Sequence, residues 1–121
     1  MATYIDCVIV PVPKAQLPAY KTMARKFAKV WLEHGALAVK ENVADDVKLG
    51  KRTSFPQAVR LKDDEVVVCS WIVFNNRRHR DAVSKKFMAD PRVAGLTAKD
   101  MPFDGKRMFW GGFKELVSVK A

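Results

Sequence analysis

Long hydrophobic runs are missing from this 121-residue chain. Its apolar stretches fall well short of the roughly 18 residues that a membrane-crossing helix needs, so no membrane partner is expected. Met1 to Asp6 lack the basic start and apolar stretch of a secretory signal, and the expected location is cytoplasmic. Cysteine is sparse: Cys7 and Cys69 each sit inside an apolar run, where a small buried thiol is common. With no Cys-x-x-Cys pair and no Cys/His cluster, no metal is expected, and no cofactor signature is visible. Repeats, low-complexity tracts and linkers are absent too, so residues 1–121 are expected to form one domain. Acidic residues are outnumbered, 13 Asp and Glu against 22 Lys and Arg, for a net charge of +9. That balance favours anionic partners in general and selects none.

What is present is the material of a globular α+β domain: 49% hydrophobic and 29% charged residues. Tyr4 to Val12 reads as a strand closed by Pro11 and Pro13. A helix follows, entered at Pro18, with Leu17, Tyr20, Ala24, Phe27, Ala28 and Trp31 at spacings of three and four. Gly35 is its expected terminator, and Leu37 to Val43 a second strand. In the long connection Asp45 to Asp64, Ser54 is placed to cap one helical turn. Glu65 to Phe74 is the strongest strand signal. Asn76 is placed to cap a helix from Arg77 to Ala89, stopped at Asp90-Pro91. Lys106 to Val119 reads as the last strand, with Gly111-Gly112 marking a bulge or bend. The order βαββαβ predicts a ferredoxin-like sandwich with an antiparallel four-stranded sheet.

The strands do not alternate apolar with polar as a sheet wet on one side would. Val66, Val68, Ile72 and Phe74 point one way with Ser70; Val67, Cys69, Trp71 and Val73 point the other. Two helices cover one face of such a sheet. Covering the second face requires a homodimer packed sheet to sheet, or long connections folded over it.

Several side chains have the chemistry for a site. Arg77, Arg78, His79 and Arg80 crowd a helix N-terminus, where cations oppose the dipole but anions bind readily, so they are anion-binding candidates. Salt bridging, as of Arg77 to Asp81, is the plainer explanation. His34, at the end of the first helix, suits that C-terminus as a cation and is also a candidate general base. Asp6, within an apolar strand, is either a pKa-shifted acid or the partner of an Arg or Lys. Asp104 belongs to ordinary Asp-Gly turn chemistry, and Ser70 has no nucleophile context. Trp31, Trp71, Phe74 and Trp110 are candidates to line an apolar pocket between sheet and helices, with plain core as the alternative.

Four segments carry a family resemblance: Trp31-Leu-Glu-His-Gly-Ala-Leu, the run Thr53 to Lys62, His79-Arg-Asp-Ala-Val, and Met101-Pro-Phe-Asp-Gly-Lys-Arg-Met. Together they resemble the YbaA-like family of uncharacterised bacterial proteins, over nearly the whole chain. The resemblance implies a ferredoxin-like fold of the dimeric α/β-barrel type, related in shape to small monooxygenases and stress-response proteins. It supplies no catalytic residues. The expected function is therefore a dimer that binds a small aromatic or anionic molecule between sheet and helices. Alternatives are a cofactor-independent monooxygenase-like enzyme, a stress-related protein-interaction module, and non-specific RNA binding. Nucleic acid is the weakest of these, because Val66 to Val73 lacks the Lys/Arg-Gly-aromatic signature of RNA-recognition strands.

Overall fold

A computed structural model describes residues 2–121. Strand β1, Tyr4–Pro13, leads through a short 3-10 turn into helix α1, Leu17–Glu33. Pro18 lies in the first turn of α1, where its missing N–H costs nothing. The helix ends at His34, whose N–H donates to the Val30 carbonyl, and Gly35 follows at φ +115°, a conformation costly for any residue with a Cβ. Strand β2 is Ala38–Val43. In the connection after it, Ser54 caps the single turn α2, Phe55–Ala58, accepting from the Gln57 N–H at 3.2 Å. Strand β3, Glu65–Phe74, keeps the bounds read from the sequence. Asn76 caps α3, Arg77–Ala89, accepting from the His79 N–H at 2.8 Å. Asp90 stops α3 and caps a short α4, Pro91–Ala94.

The sheet order is β2-β3-β1-β4, with every neighbouring pair antiparallel. This is the expected βαββαβ sandwich. The sheet is open, with β2 and β4 as edges, so one chain does not close a barrel. No helix among the described residues is long and apolar enough to cross a membrane.

Strand β4 corrects the sequence reading. It runs only from Phe109 to Lys114 and pairs with β1 in unbroken register, from Ile9↔Phe109 to Tyr4↔Lys114, so Gly111-Gly112 forms no bulge. Gly112 answers a different need: a Cβ there would overlap the Tyr4 hydroxyl. Leu116, Val117 and Val119 lie beyond the strand and are exposed.

The two faces of the sheet have different covers. Helices α1 and α3 lie over the face carrying Tyr4, Val10, Val12, Val68, Ile72 and Phe74, which form the core with Tyr20, Ala24 and Val83. On the other face the connection after β2 folds back at one end. Val59, fully buried, and Leu61 pack on Ile9 and Val67. The long connection thus covers part of the face for which a second subunit was expected. Arg107 clamps it: its guanidinium donates to Glu65 at 2.6 and 2.7 Å, to Asp104 at 2.9 Å, and to the carbonyls of Val59 and Arg60. The rest of that face stays apolar and incompletely covered: Ile5, Cys7, Trp71 and Val73 are half-buried, while Phe109 and Phe113 are about half exposed, at 46% and 58%.

Candidate functional site

Between the sheet and the helices lies a cavity of about 650 Å³, within the range of small-molecule sites. Its floor is the inner face of β1, β3 and β2, where Asp6, Ser70 and Glu41 replace the apolar residues of the neighbouring rungs. Its roof is the inward stripe of α1, with Tyr20, Phe27 and Trp31, and of α3, with Arg80, Ser84 and Phe87. The Trp31 and Phe87 rings stack at 3.8 Å and 6°, with Phe27 edge-on to Phe87. Phe103 and Trp110 complete the aromatic wall.

The floor has two polar ends. At one, Asp6 has a side chain only 7% exposed, and its nearest cation is Arg80, Nη1 to Oδ1 at 3.3 Å. That pair has ion-pair distance without hydrogen-bond alignment, and Oδ1 is closed off from solvent with no hydrogen-bond partner. Burial pushes the Asp6 carboxyl above its ordinary pKa; Arg80 opposes the rise and Asp81 adds to it. Arg80 donates through Nη2 to the Tyr4 hydroxyl at 3.1 Å, and its guanidinium lies over the Tyr4 and Trp110 rings. Its Nε is 3.0 Å from Asp81 but is also buried without an aligned partner.

At the other end Tyr20 donates to Glu41 at 2.7 Å, tying α1 to the edge strand β2. Burial, reinforced by Glu41, raises the pKa of the Tyr20 phenol. The Glu41 carboxyl is raised as well, its desolvation outweighing hydrogen bonds with Tyr20 and Ser70. A groove between α1 and β2, lined by Leu17, Lys21, Arg25 and Asn42, shares Tyr20, Ala24 and Glu41 with the cavity.

The residues singled out in the sequence are not all together. Asp6, Arg80, Trp31 and Trp110 line the cavity. Phe74 is fully buried in the core, edge-on to Trp31. Trp71 projects from the opposite face of the sheet, opposite Cys7, because residues 71 and 74 differ by an odd number along the strand. His34 lies away from the cavity, Nε2 to Asp90 Oδ2 at 2.8 Å, joining the end of α1 to the end of α3. The four basic residues at the start of α3 do not form one patch. Arg77 and Arg78 are exposed, with Arg77 4.0 Å from Asp81; the His79 Nδ1 accepts from the Asn75 N–H; and only Arg80 turns inward. Tyr20, Glu41, Phe103 and Met108 were not singled out as site residues. For Tyr20 a signal existed, since it heads the same helical stripe as Trp31.

Comparison with known proteins places these features in a family. The family described as "Protein of unknown function (DUF1428)" matches residues 3–105. The uncharacterized protein YbaA of Escherichia coli strain K12 is 44% identical over 114 residues, covering 94% of this chain and 97% of its own length. The same protein from Shigella flexneri gives the same figures. Among solved structures, a dimeric ferredoxin-like protein from an uncultured marine organism is similar across 100% of both chains, with a TM-score of 0.59 at 12% identity. That likeness identifies the fold as ferredoxin-like.

Proposed function

This chain belongs to the DUF1428 family, whose function is unknown, and from its cavity we propose that it binds a small, uncharged aromatic molecule between sheet and helices. One observation carries the reading. Asp6 lines an aromatic cavity with its side chain buried, Arg80 at ion-pair distance and Oδ1 without an aligned hydrogen-bond donor, where a leucine would pack at no electrostatic cost. Anionic ligands fit less well, because Asp6 and Glu41 both face the cavity and only Arg80 opposes them. The test is a thermal-shift screen of neutral aromatic compounds against the wild-type protein and an Ala28→Trp variant, which fills the space between α1 and the sheet. Ligands are expected to raise the wild-type melting temperature and to leave the variant unmoved. Equal shifts in both proteins overturn the proposal, as does the absence of any hit.

The uncovered part of the sheet supports a second reading, a homodimer joined face to face. Trp71, Val73, Phe109 and Phe113 give this patch large apolar side chains, and the solved relative of the same fold is described as dimeric. Sedimentation at micromolar concentration is expected to give a dimer, and Phe113→Lys a monomer. A wild-type monomer refutes it.

A further inference from the structure

We propose that Cys7 and Cys69 form a two-thiolate site for a soft monovalent cation, Cu(I), on the outer face of the sheet. Far apart in sequence, the two make no motif; the antiparallel pairing of β1 with β3 brings them together. Cys7 stands across from Trp71 and Cys69 across from Ile9, so the thiols share one face, in adjacent rungs of adjacent strands. Burial raises the pKa of the Cys69 thiol, and the Cys7 thiol beside it raises it further. Both cysteines are free and half-buried, so neither is the sealed core thiol that its apolar run predicts. On its other side Cys7 faces Gly111 of β4, where even a Cβ would meet only the Phe113 ring, at 3.6 Å, so that rung sets no side chain beside the thiol.

The geometry selects the ligand. Diagonal neighbours on paired strands stand about 7–8 Å apart, their Cβ atoms somewhat closer. A disulfide needs Cβ atoms within about 4.5 Å, so this diagonal is too open for a direct bond. An ion held about 2.3 Å from each sulfur lets the two stand up to about 4.6 Å apart, which suits the wider spacing. Thiolates select soft ions. Zinc takes four ligands, and among the described residues no third His, Cys, Asp or Glu gathers with such a pair. Cu(I), a closed-shell ion that two thiolates hold in line, needs no third. Ile9, Val59 and Val67 pack around the cysteines, an apolar shell that disfavours hard, hydrated cations. Binding exchanges two S–H bonds for two Cu–S bonds. Both protons leave to solvent, no electron is transferred, and the complex carries one negative charge on a chain of net charge +9. Both ligands come from one chain and lie outside the cavity, so the site depends neither on the cavity nor on a second copy.

Anaerobic titration of the reduced wild-type chain into the coloured Cu(I)–ferrozine complex tests this, with native mass spectrometry counting ions per chain. Wild type is expected to withdraw Cu(I) from the chelator, bleaching its colour, and to hold a single ion per chain. Cys7→Ser and Cys69→Ser should each lose that uptake. Zn(II) offered alone should be lost on gel filtration. The wild-type and zinc results decide by themselves if neither variant folds. No uptake by wild type, uptake kept by a folded single-cysteine variant, or Zn(II) held through the filtration overturns the site. Each of these results leaves the cavity reading untouched.

Discussion

Replacing Asp6 by Asn should stabilise the fold at neutral pH. The Asp6 side chain is 7% exposed, accepts no hydrogen bond at Oδ1, and has Arg80 at 3.3 Å as its one close cation. Its carboxyl pKa is raised, with burial outweighing Arg80. An acid with a higher pKa folded than unfolded holds more protons in the native state. Its contribution to stability is therefore lost as pH rises from the unfolded pKa through the folded one. Asparagine keeps the shape of the protonated acid and removes that loss. A buried polar group left without a partner costs about 1–3 kcal/mol, and losing the attraction to Arg80 returns part of this. Arg80 retains Tyr4 and Asp81. The net gain is on the order of 1 kcal/mol, or about 4 °C in melting temperature for a chain of this length. Thermal denaturation of both proteins from pH 3.5 to 8 measures it. The difference should be small at the acid end, where Asp6 is protonated, and should grow to a plateau above its pKa. A variant that melts below wild type at pH 7, or a gap that does not change with pH, would show that the Arg80 pair favours the carboxylate after all.

Arg107→Ala should cost about 3 kcal/mol in chemical denaturation, near the lower bound for losing one partner of a buried pair, because Arg107 is 16% exposed while Glu65 is 3% exposed. Arg107 also holds the Glu65 carboxyl below its ordinary pKa, so this stabilisation is present at neutral pH and is lost as pH falls through that lowered value. The variant should accordingly lose less stability on acidification than wild type does, and a parallel loss would argue against the clamp. Gly112→Ala should destabilise by about 1–3 kcal/mol through overlap with the buried Tyr4. Gly111→Ala is the control, with only ordinary contact to the Phe113 side chain; equal behaviour of the two variants in thermal melts would refute the steric account.

Local chemistry made most of the elements legible. The run Glu65–Phe74 is β-branched and apolar on both faces, and Ser54, Gly35 and Asn76 act where their side chains or backbone freedom suit a helix end. The last strand was overextended because Val117 and Val119 have strand propensity but no rung to join; β1 offers partners only as far as Tyr4↔Lys114. The glycine pair looked like a bulge because its cause, Tyr4, lies more than a hundred residues away. The site was half legible. The stripe Arg80, Ser84, Phe87 at helical spacing marks the inward face of α3 and separates Arg80 from Arg78 without any structure; Arg77, three residues before Arg80, falls on the same stripe and is exposed only because it lies at the helix start. Likewise, strand alternation already put Trp71 and Phe74 on opposite faces. The pairing of Tyr20 with Glu41, by contrast, depends on how α1 crosses the sheet, which no local pattern encodes.

The polar residues of the floor have a common logic. Val8, Ser70 and Glu41 occupy one rung across three strands, and Asp6 stands two residues along β1 on the same face. The rungs on either side carry Tyr4, Phe74, Val10 and Val68, all buried and apolar or aromatic. A face selected only for packing would continue that pattern, since the raised pKa at Asp6 marks a place where charge opposes burial. Buried departures from the local rule fall on two different strands, Asp6 on β1 and Ser70 on β3, and converge on a single cavity, with Glu41 of the exposed edge strand beside them. Independent packing faults would have no reason to coincide in that way. Local conflict concentrated at one place is what a site imposes on a fold otherwise consistent at every level. By the same reasoning, the stability gained in Asp6→Asn has its origin in a carboxylate that the fold buries with an imperfectly aligned partner.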